Sequence, residues 1–439
     1  MKKAMGLLTS AVLVAALAGC GNSGASEEKS EAVGKTGLKI TTDPVNLTIY
    51  QFAVISDDEI RKFIIEPVQK IHPNISFTIV RKGKGTQPEE LAAAGIVPDL
   101  IYTLNDVAGF RDMGYAEDLN PFIKQTNFDL SRLDPNILDS IRTYGGGAEL
   151  YAMPMLQNVA AMFYNKDIFD KFGVQYPKDG MTWDDAIQLA TRVTRTDGGV
   201  RYIGMATDSV SRYGQGLSLP YVDTSTNKAL IDTDGWKKVL STVKRMIDIP
   251  GFLGEDKKTS FNINNDFFKG GTVAMMPNWV PDTVAYLDET IANNIRWDIV
   301  SLPNFPEALG TGRVISPHTL MMTKQSKYKN EVFEVMRIVT SNEVQTILSQ
   351  NGKIPVVNNV DVQKQYGANL PFMKGKNVEG IFKSKPRPLH KPLSEYDGVV
   401  RGVIDGTMKE LVNGKDINTI LREAQDTADK KIAEELAKK

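Results

Sequence analysis

Between Leu47 and Tyr102 the apolar positions switch between two rhythms. Leu47 and Ile49 alternate with Thr48 and run into Tyr50, which reads as a strand. Ile60, Phe63, Ile64, Val68 and Ile71 then recur at helical spacing, and Pro67 predicts a kink or a restart after Glu66 because it has no N–H to donate. Ile75, Phe77 and Ile79 alternate as a second strand, and Asp99 to Tyr102 forms a third. Strand, helix, strand, helix, strand implies parallel pairing through right-handed crossovers, and hence an α/β domain.

A polar interval follows, ending in Gly145, Gly146 and Gly147; after Tyr151 to Pro154 the run Val159 to Tyr164 reads as another buried strand. Thr182 and Asp185 have the spacing of a capping box for a helix carrying Ala186, Leu189, Ala190 and Val193. A strand at Tyr202 to Ala206, an irregular stretch to Asn227 and an amphipathic helix from Asp234 to Ile249 come next. Phe267 and Phe268 then end an amphipathic run that begins near Phe261, and Gly270 and Gly271 supply positions for closing a helix. The apolar strand behind them is expected to stop at Pro277, which leaves Asn278 and Trp279 past its carboxyl end. In open parallel α/β sheets the ligand crevice lies outside those ends. The residues alone leave open whether Trp279 is a ligand platform or the edge of a core. Trp297 to Leu302 and Thr319 to Thr323 read as further strands on either side of a Pro- and Gly-containing loop. Helices from about Tyr396 to Lys438, broken at Asn413-Gly414, close the chain.

At 439 residues the chain exceeds one ordinary core, so two domains are expected. Its formal net charge of -1 and the lack of any Lys/Arg block argue against a nucleic-acid partner. The 3 histidines, His72, His318 and His390, are far apart in sequence, which offers no metal motif. The single cysteine, Cys20, ends an apolar run from Met5 to Ala18 preceded by Lys2 and Lys3, which is the form of an export signal. Gly21 to Thr36 are small, polar and charged, a disordered tether whose flexible-coil reach is about 20–25 Å.

No catalytic signature is present: the chain has no Walker A loop, no Gly-x-Ser-x-Gly elbow and no His-Glu-x-x-His. Asp184 and Asp185 fall in a helix's first turn, where carboxylates complement the macrodipole. Asp223, Ser225, Asn227 and Asp234 partly match a calcium loop, but Lys228 stands where glycine is needed and the terminal glutamate is missing. No catalytic residue, metal or cofactor is expected.

Phe-x-x-Gly-x-x-x-Met-x-x-x-Trp from Phe268 to Trp279, Val97 to Tyr102, Tyr151 to Pro154 with Phe163 to Asp167, Thr182 to Asp185 and Asn351 to Pro355 occur in one order along most of the chain. That ordered set resembles the family 1 extracellular solute-binding proteins, the sugar receptors of ABC importers. The resemblance implies a two-domain α/β, periplasmic-binding-protein-like fold, each domain a mostly parallel sheet flanked by helices, with three hinge crossings. It implies residues 1–20 as a lipoprotein signal peptide and 21–37 as the tether. Residues 38–153 with 318–375 would form the N-terminal domain, and 154–317 with 376–439 the C-terminal one. Leu17-Ala18-Gly19-Cys20 resembles a lipobox, so Cys20 would carry a lipid anchor on the extracytoplasmic face. The implied function is capture of a mono- or oligosaccharide in the interdomain cleft by a monomer, with delivery to permease subunits.

Sugar hydroxyls need Asp, Asn and Gln partners, while the C–H faces of the rings need aromatic planes. The candidate ligand-binding residues are Gln51 and Phe52 after the first strand, Asn105 and Asp106 after the third, Asn158, Tyr213, Trp279, Tyr396 and Asp397. Thr103 and Asp397 stand where sugar-binding relatives carry stacking tryptophans, and Val107 where one carries an arginine. Two alternatives remain: a secreted glycan-degrading lipoprotein, and a receptor of the same fold for a non-sugar solute or a sensor kinase.

Overall fold

A computed structural model describes residues 37–104 and 106–438. The signal-like run, Cys20, the tether to Thr36 and Asn105 lie outside the described residues. The apolar side chains gather into two separate clusters, each built on its own sheet.

The first sheet contains β1 (Val45–Gln51), β2 (Ile75–Arg81), β3 (Leu100–Thr103) and β4 (Met153–Asn158). As expected, β1 pairs in parallel with both β2 and β3. Ser56 and Glu59 form a capping box on the helix Asp57–Ile60, which continues through a π turn, Arg61–Ile65, into Glu66–Ile71. The π turn is where the sequence predicted a kink: the widened turn lets the chain continue past Pro67 and keeps Ile60, Phe63, Ile64 and Val68 on the buried side. Ile71 is exposed.

The second sheet contains β5 (Ala160–Asn165), β6 (Met275–Trp279) and β7 (Trp297–Ser301), with β5 in the centre. Here the expected parallel arrangement gives way: β5 is antiparallel to both neighbours. The reason is connectivity. β5 follows β4 with only Val159 between them, so it runs outward from the first sheet, and the strands beside it run back. Their carboxyl ends therefore meet its start, Trp279 opposite Ala160 and Ser301 opposite Ala161.

β6 does not stop at Pro277. It runs on to Trp279, with Pro277 opposite Met162. β6 is an edge strand, where every second N–H points away from the ladder and a proline can be accommodated. The residues before it form a π-helix, Ile263–Lys269, capped by the Asn262 side chain, and Gly271 alone of the glycine pair takes the left-handed conformation, with φ 60°.

β8 (Thr311–Val314) and β9 (Ser316–Met322) begin inside the Pro- and Gly-containing stretch that reads as a loop after Leu302. β9 inserts antiparallel between β3 and β4, and Asn158 pairs with Ser316. β8 pairs instead with β10 (Lys385–Arg387), so the chain passes between assemblies at Ile315 as it does at Val159. Val362 packs in the first cluster, Tyr366 in the second, and Leu389 again against the first. Helices Asp397–Val412 and Ile417–Leu436 pack on the second cluster through Ile404, Leu411, Ile420 and Leu421.

Two local readings were too simple. The polar interval before Gly147 holds helices Asn120–Thr126 and Pro135–Gly145, the latter started by the Asp134 side chain and ended at Gly146 with φ 75°. Residues 195–202 form a hairpin, and only Ile203 of the expected strand bridges to Val273. The capping box is present: the Thr182 hydroxyl accepts from Asp185 N at 3.1 Å, and Asp185 Oδ2 accepts from Thr182 N at 2.8 Å. The helix it starts, Trp183–Val193, is met closely by the chain at Gly204, where a Cβ would lie 2.1 Å from the Ala190 carbonyl oxygen. That approach is open only to glycine, and it directs the segment leading to Asp208.

Candidate functional site

A cavity of about 820 Å³ opens where the two assemblies face each other. Arg111 and Tyr144 line it from the first, Arg212, Tyr221 and Trp279 from the second, and Ile315 and Ser316 from the connection between them. Its size is that of a small-molecule site.

Trp279 reaches this wall because β6 ends at the shared edge and the chain turns there into the helix Val280–Ala285, which it precedes as N-cap residue. The Arg313 guanidinium lies over the indole, 4.8 Å from the ring centroid. Arg313 is buried and bonds Asp208 Oδ2, while Asp208 Oδ1 accepts from Arg212 Nη1 at 2.8 Å. Burial pulls the Arg313 guanidinium below its usual range, opposed by the Asp208 charge.

A segment from Pro388 to Glu395 covers the other side. Leu389 packs against the first cluster, and Lys391 Nζ reaches Asp139 Oδ1 at 2.6 Å, on the helix Pro135–Gly145. His390 Nε2 stands 3.6 Å from Asp397 Oδ2, which also accepts from Ser394 N at 3.1 Å. His390 Nδ1 and Asp397 Oδ1 are buried with no hydrogen-bond partner. Burial raises the Asp397 carboxyl above the ordinary range.

Beside the connection at Val159, the Asn158 amide nitrogen lies 3.2 Å from His318 Nε2, and the Tyr102 hydroxyl 2.6 Å from His318 Nδ1. One neutral tautomer satisfies both contacts, with Nε2 accepting from the amide and Nδ1–H donating to the phenol oxygen. Burial pushes the His318 imidazole down to about 4. Lys353 pairs with Glu59 nearby.

A profile of bacterial extracellular solute-binding proteins matches residues 55–346. The chain belongs to that family. A binding protein of Brucella abortus is 25% identical over 276 residues, 59% of this chain and 62% of its own. The arabinooligosaccharide-binding protein of Bacillus subtilis is 25% identical over 290 residues, 64% of this chain and 61% of its own. The chain thus spans under two thirds of the length of these curated relatives. The solved structure of an ABC substrate-binding protein of Listeria monocytogenes in complex with cycloalternan superposes with a TM-score of 0.68 at 19% identity, covering 89% of this chain and 100% of that one. At that identity the likeness is one of fold.

Within this solute-binding fold the eight candidates among the described residues separate, Asn105 lying outside them. Trp279 and Asp397 line the same cavity. Asn158 stands at the adjoining edge, opposite Ser316, held by His318. Gln51 donates to the Ile55 carbonyl at 2.5 Å and Phe52 packs edge-on against Phe110, with Lys82 Nζ 3.5 Å from its ring centre. Asp106 is exposed and accepts from the Thr103 hydroxyl at 3.3 Å; none of these three lines the cavity. Tyr213 is a core residue rather than a cleft residue: it is 2% exposed, packs against Trp183, and its hydroxyl accepts from Asp208 N and donates to Met246 Sδ. Tyr396 is likewise buried in the second cluster, one position before the helix that presents Asp397.

Arg111, Arg212, Arg313 and His390 were not foreseen. Arg313 sits in a stretch that reads as loop, and nothing local marks its partner Asp208, 105 positions away. Among the described residues, no group of three or more His, Cys, Asp or Glu side chains could hold a metal ion.

The His318 environment predicts a pH dependence. Its folded pKa of about 4 lies below the ordinary 6.5, so its contribution to stability is complete above about pH 6.5 and is lost as pH falls toward 4. The loss should be on the order of 2–3 kcal/mol. Unfolding of wild type and His318→Gln compared between pH 7 and pH 4.5 should show the steeper decline in wild type. Parallel curves would contradict the buried neutral imidazole.

Proposed function

We propose that this receptor captures a mono- or oligosaccharide between its two assemblies and delivers it to the permease subunits of an ABC importer, with no chemistry performed on the ligand. The observation that carries this reading is Trp279: an indole on the wall of the cavity, with amide, carboxylate, imidazole and guanidinium groups around it. Ring C–H faces stack on an aromatic plane while hydroxyls take the polar groups. Carbohydrates are also named as ligands of the Bacillus subtilis and Listeria monocytogenes proteins.

Cys20 is the proposed site of lipidation, with residues 21–37 as the tether that keeps the receptor at the membrane. Cys20→Ser should release the protein from the detergent phase with ligand affinity unchanged. Persistent detergent partitioning would overturn the anchor.

A thermal-shift screen with monosaccharides, arabinotriose, mannobiose and cycloalternan tests the ligand class, because a ligand bound by the folded state raises the melting temperature. Trp279→Ala should cost about 1.5–3 kcal/mol of binding from lost burial of a large side chain. That is a roughly 10- to 150-fold weaker Kd. Trp279→Phe should be intermediate. Native affinity in folded Trp279→Ala would remove the indole from the site.

A further inference from the structure

The side of Trp279 away from the cavity is occupied. Arg313 Cζ lies 4.8 Å from the indole centroid, and Arg313 does not line the cavity, so the cation covers the ring from inside the protein. This guanidinium is unusually dependent on its surroundings. Its side chain is 3% exposed, its carboxylate partner Asp208 is shared with Arg212, and its Nη1 is buried without a hydrogen-bond partner. A buried cation with an unmet donor is costly, and the π face of an indole is a surface that offsets the cost. Rotating the indole away would strand the cation. The ring is therefore held flat by the same contact that makes Arg313 tolerable in the interior.

We infer that Arg313 is a positioning residue for ligand recognition: clamped by Asp208, it fixes the Trp279 indole as a rigid platform and ties it to the connection at Ile315. Arg313 belongs to β8 and precedes Val314 and Ile315, both of which line the cavity, so the platform and the joint between the two assemblies are mechanically one unit. A platform already in place spares a ligand the ordering cost of an aromatic side chain. Tyr213 supports the arrangement from behind, because its hydroxyl accepts from Asp208 N at 3.1 Å. The inference rests on the proposed role of Trp279 in sugar binding, but the rigidity of the indole can be measured without any sugar.

Arg313→Met is the informative variant. It fills the space with an apolar chain and leaves Asp208 paired with Arg212, so no carboxylate is stranded. The protein labelled with 5-fluorotryptophan has 4 tryptophans, and Trp279→Phe assigns the Trp279 resonance by its disappearance. In the wild-type protein without sugar that resonance should be a single sharp line, and in Arg313→Met it should broaden or split, while Arg313→Lys restores most of the sharpness. Affinity is then measured for whichever of arabinotriose, mannobiose or cycloalternan gives the largest thermal shift. Arg313→Met should weaken binding on the order of 5- to 30-fold, the range of a desolvated cation–π contact. Arg313→Met combined with Trp279→Ala should bind no more weakly than Trp279→Ala alone, since one acts through the other. An unchanged Trp279 line in Arg313→Met overturns the inference whether or not any of the three sugars binds. So do fully additive losses in the double variant. If no sugar binds the wild type yet the line broadens in Arg313→Met, the clamp stands and the sugar reading falls.

Discussion

The structure depends on two adjacent places where the chain passes from one assembly into the other. β4 ends at Asn158 beside Ser316 of β9, and a single residue later β5 begins at Ala160 beside Trp279 of β6. Val159 and Ile315 are the links, both buried, one in each hydrophobic cluster. Because the outgoing strand starts the second sheet, its neighbours must return toward the same edge, which brings the end of β6 to the mouth of the cavity. The antiparallel second sheet and the location of Trp279 are thus one consequence of one connection.

The charged groups that line the cavity are of both signs, Arg111, Arg212 and Arg401 with Asp112, Glu395 and Asp397. Arg111 is paired with Asp112, Arg212 and Arg313 share Asp208, and His390 faces Asp397. Such a wall presents donors and acceptors in fixed directions without a dominant sign, which suits a ligand rich in hydroxyls better than a compact ion. His390 Nδ1 and Asp397 Oδ1 are unmet on two residues that line the cavity. Buried polar atoms of this kind are rare in folded proteins and ask for a partner.

Much of the architecture was legible where the cause is local. The capping box at Thr182, the helix from Asp234, the parallel β1–β3 group and the two C-terminal helices each follow from spacing within a few residues. Trp279 was legible as a candidate because it follows an apolar strand, although the strand runs through Pro277 instead of ending there; an edge position overrode a sound local rule. What could not be read was set by contacts distant in sequence. Lys391 meets Asp139 across 252 positions, and Arg313 meets Asp208 across 105. Tyr213 was misplaced for a similar reason: an irregular, polar stretch gives no sign that its ring turns inward against Trp183. Strand direction in the second sheet was missed because the helix-strand alternation that implies parallel pairing does not distinguish a crossover from a direct passage between sheets.

The central claim is that a carbohydrate is held between two assemblies that close on it about the links at Val159 and Ile315. Hinge closure around a ligand makes a molecule more compact. Small-angle scattering of the protein, alone and saturated with a sugar shown to bind it, tests this most directly. The account predicts a smaller radius of gyration in the saturated protein. An unchanged or larger radius at full saturation would contradict it.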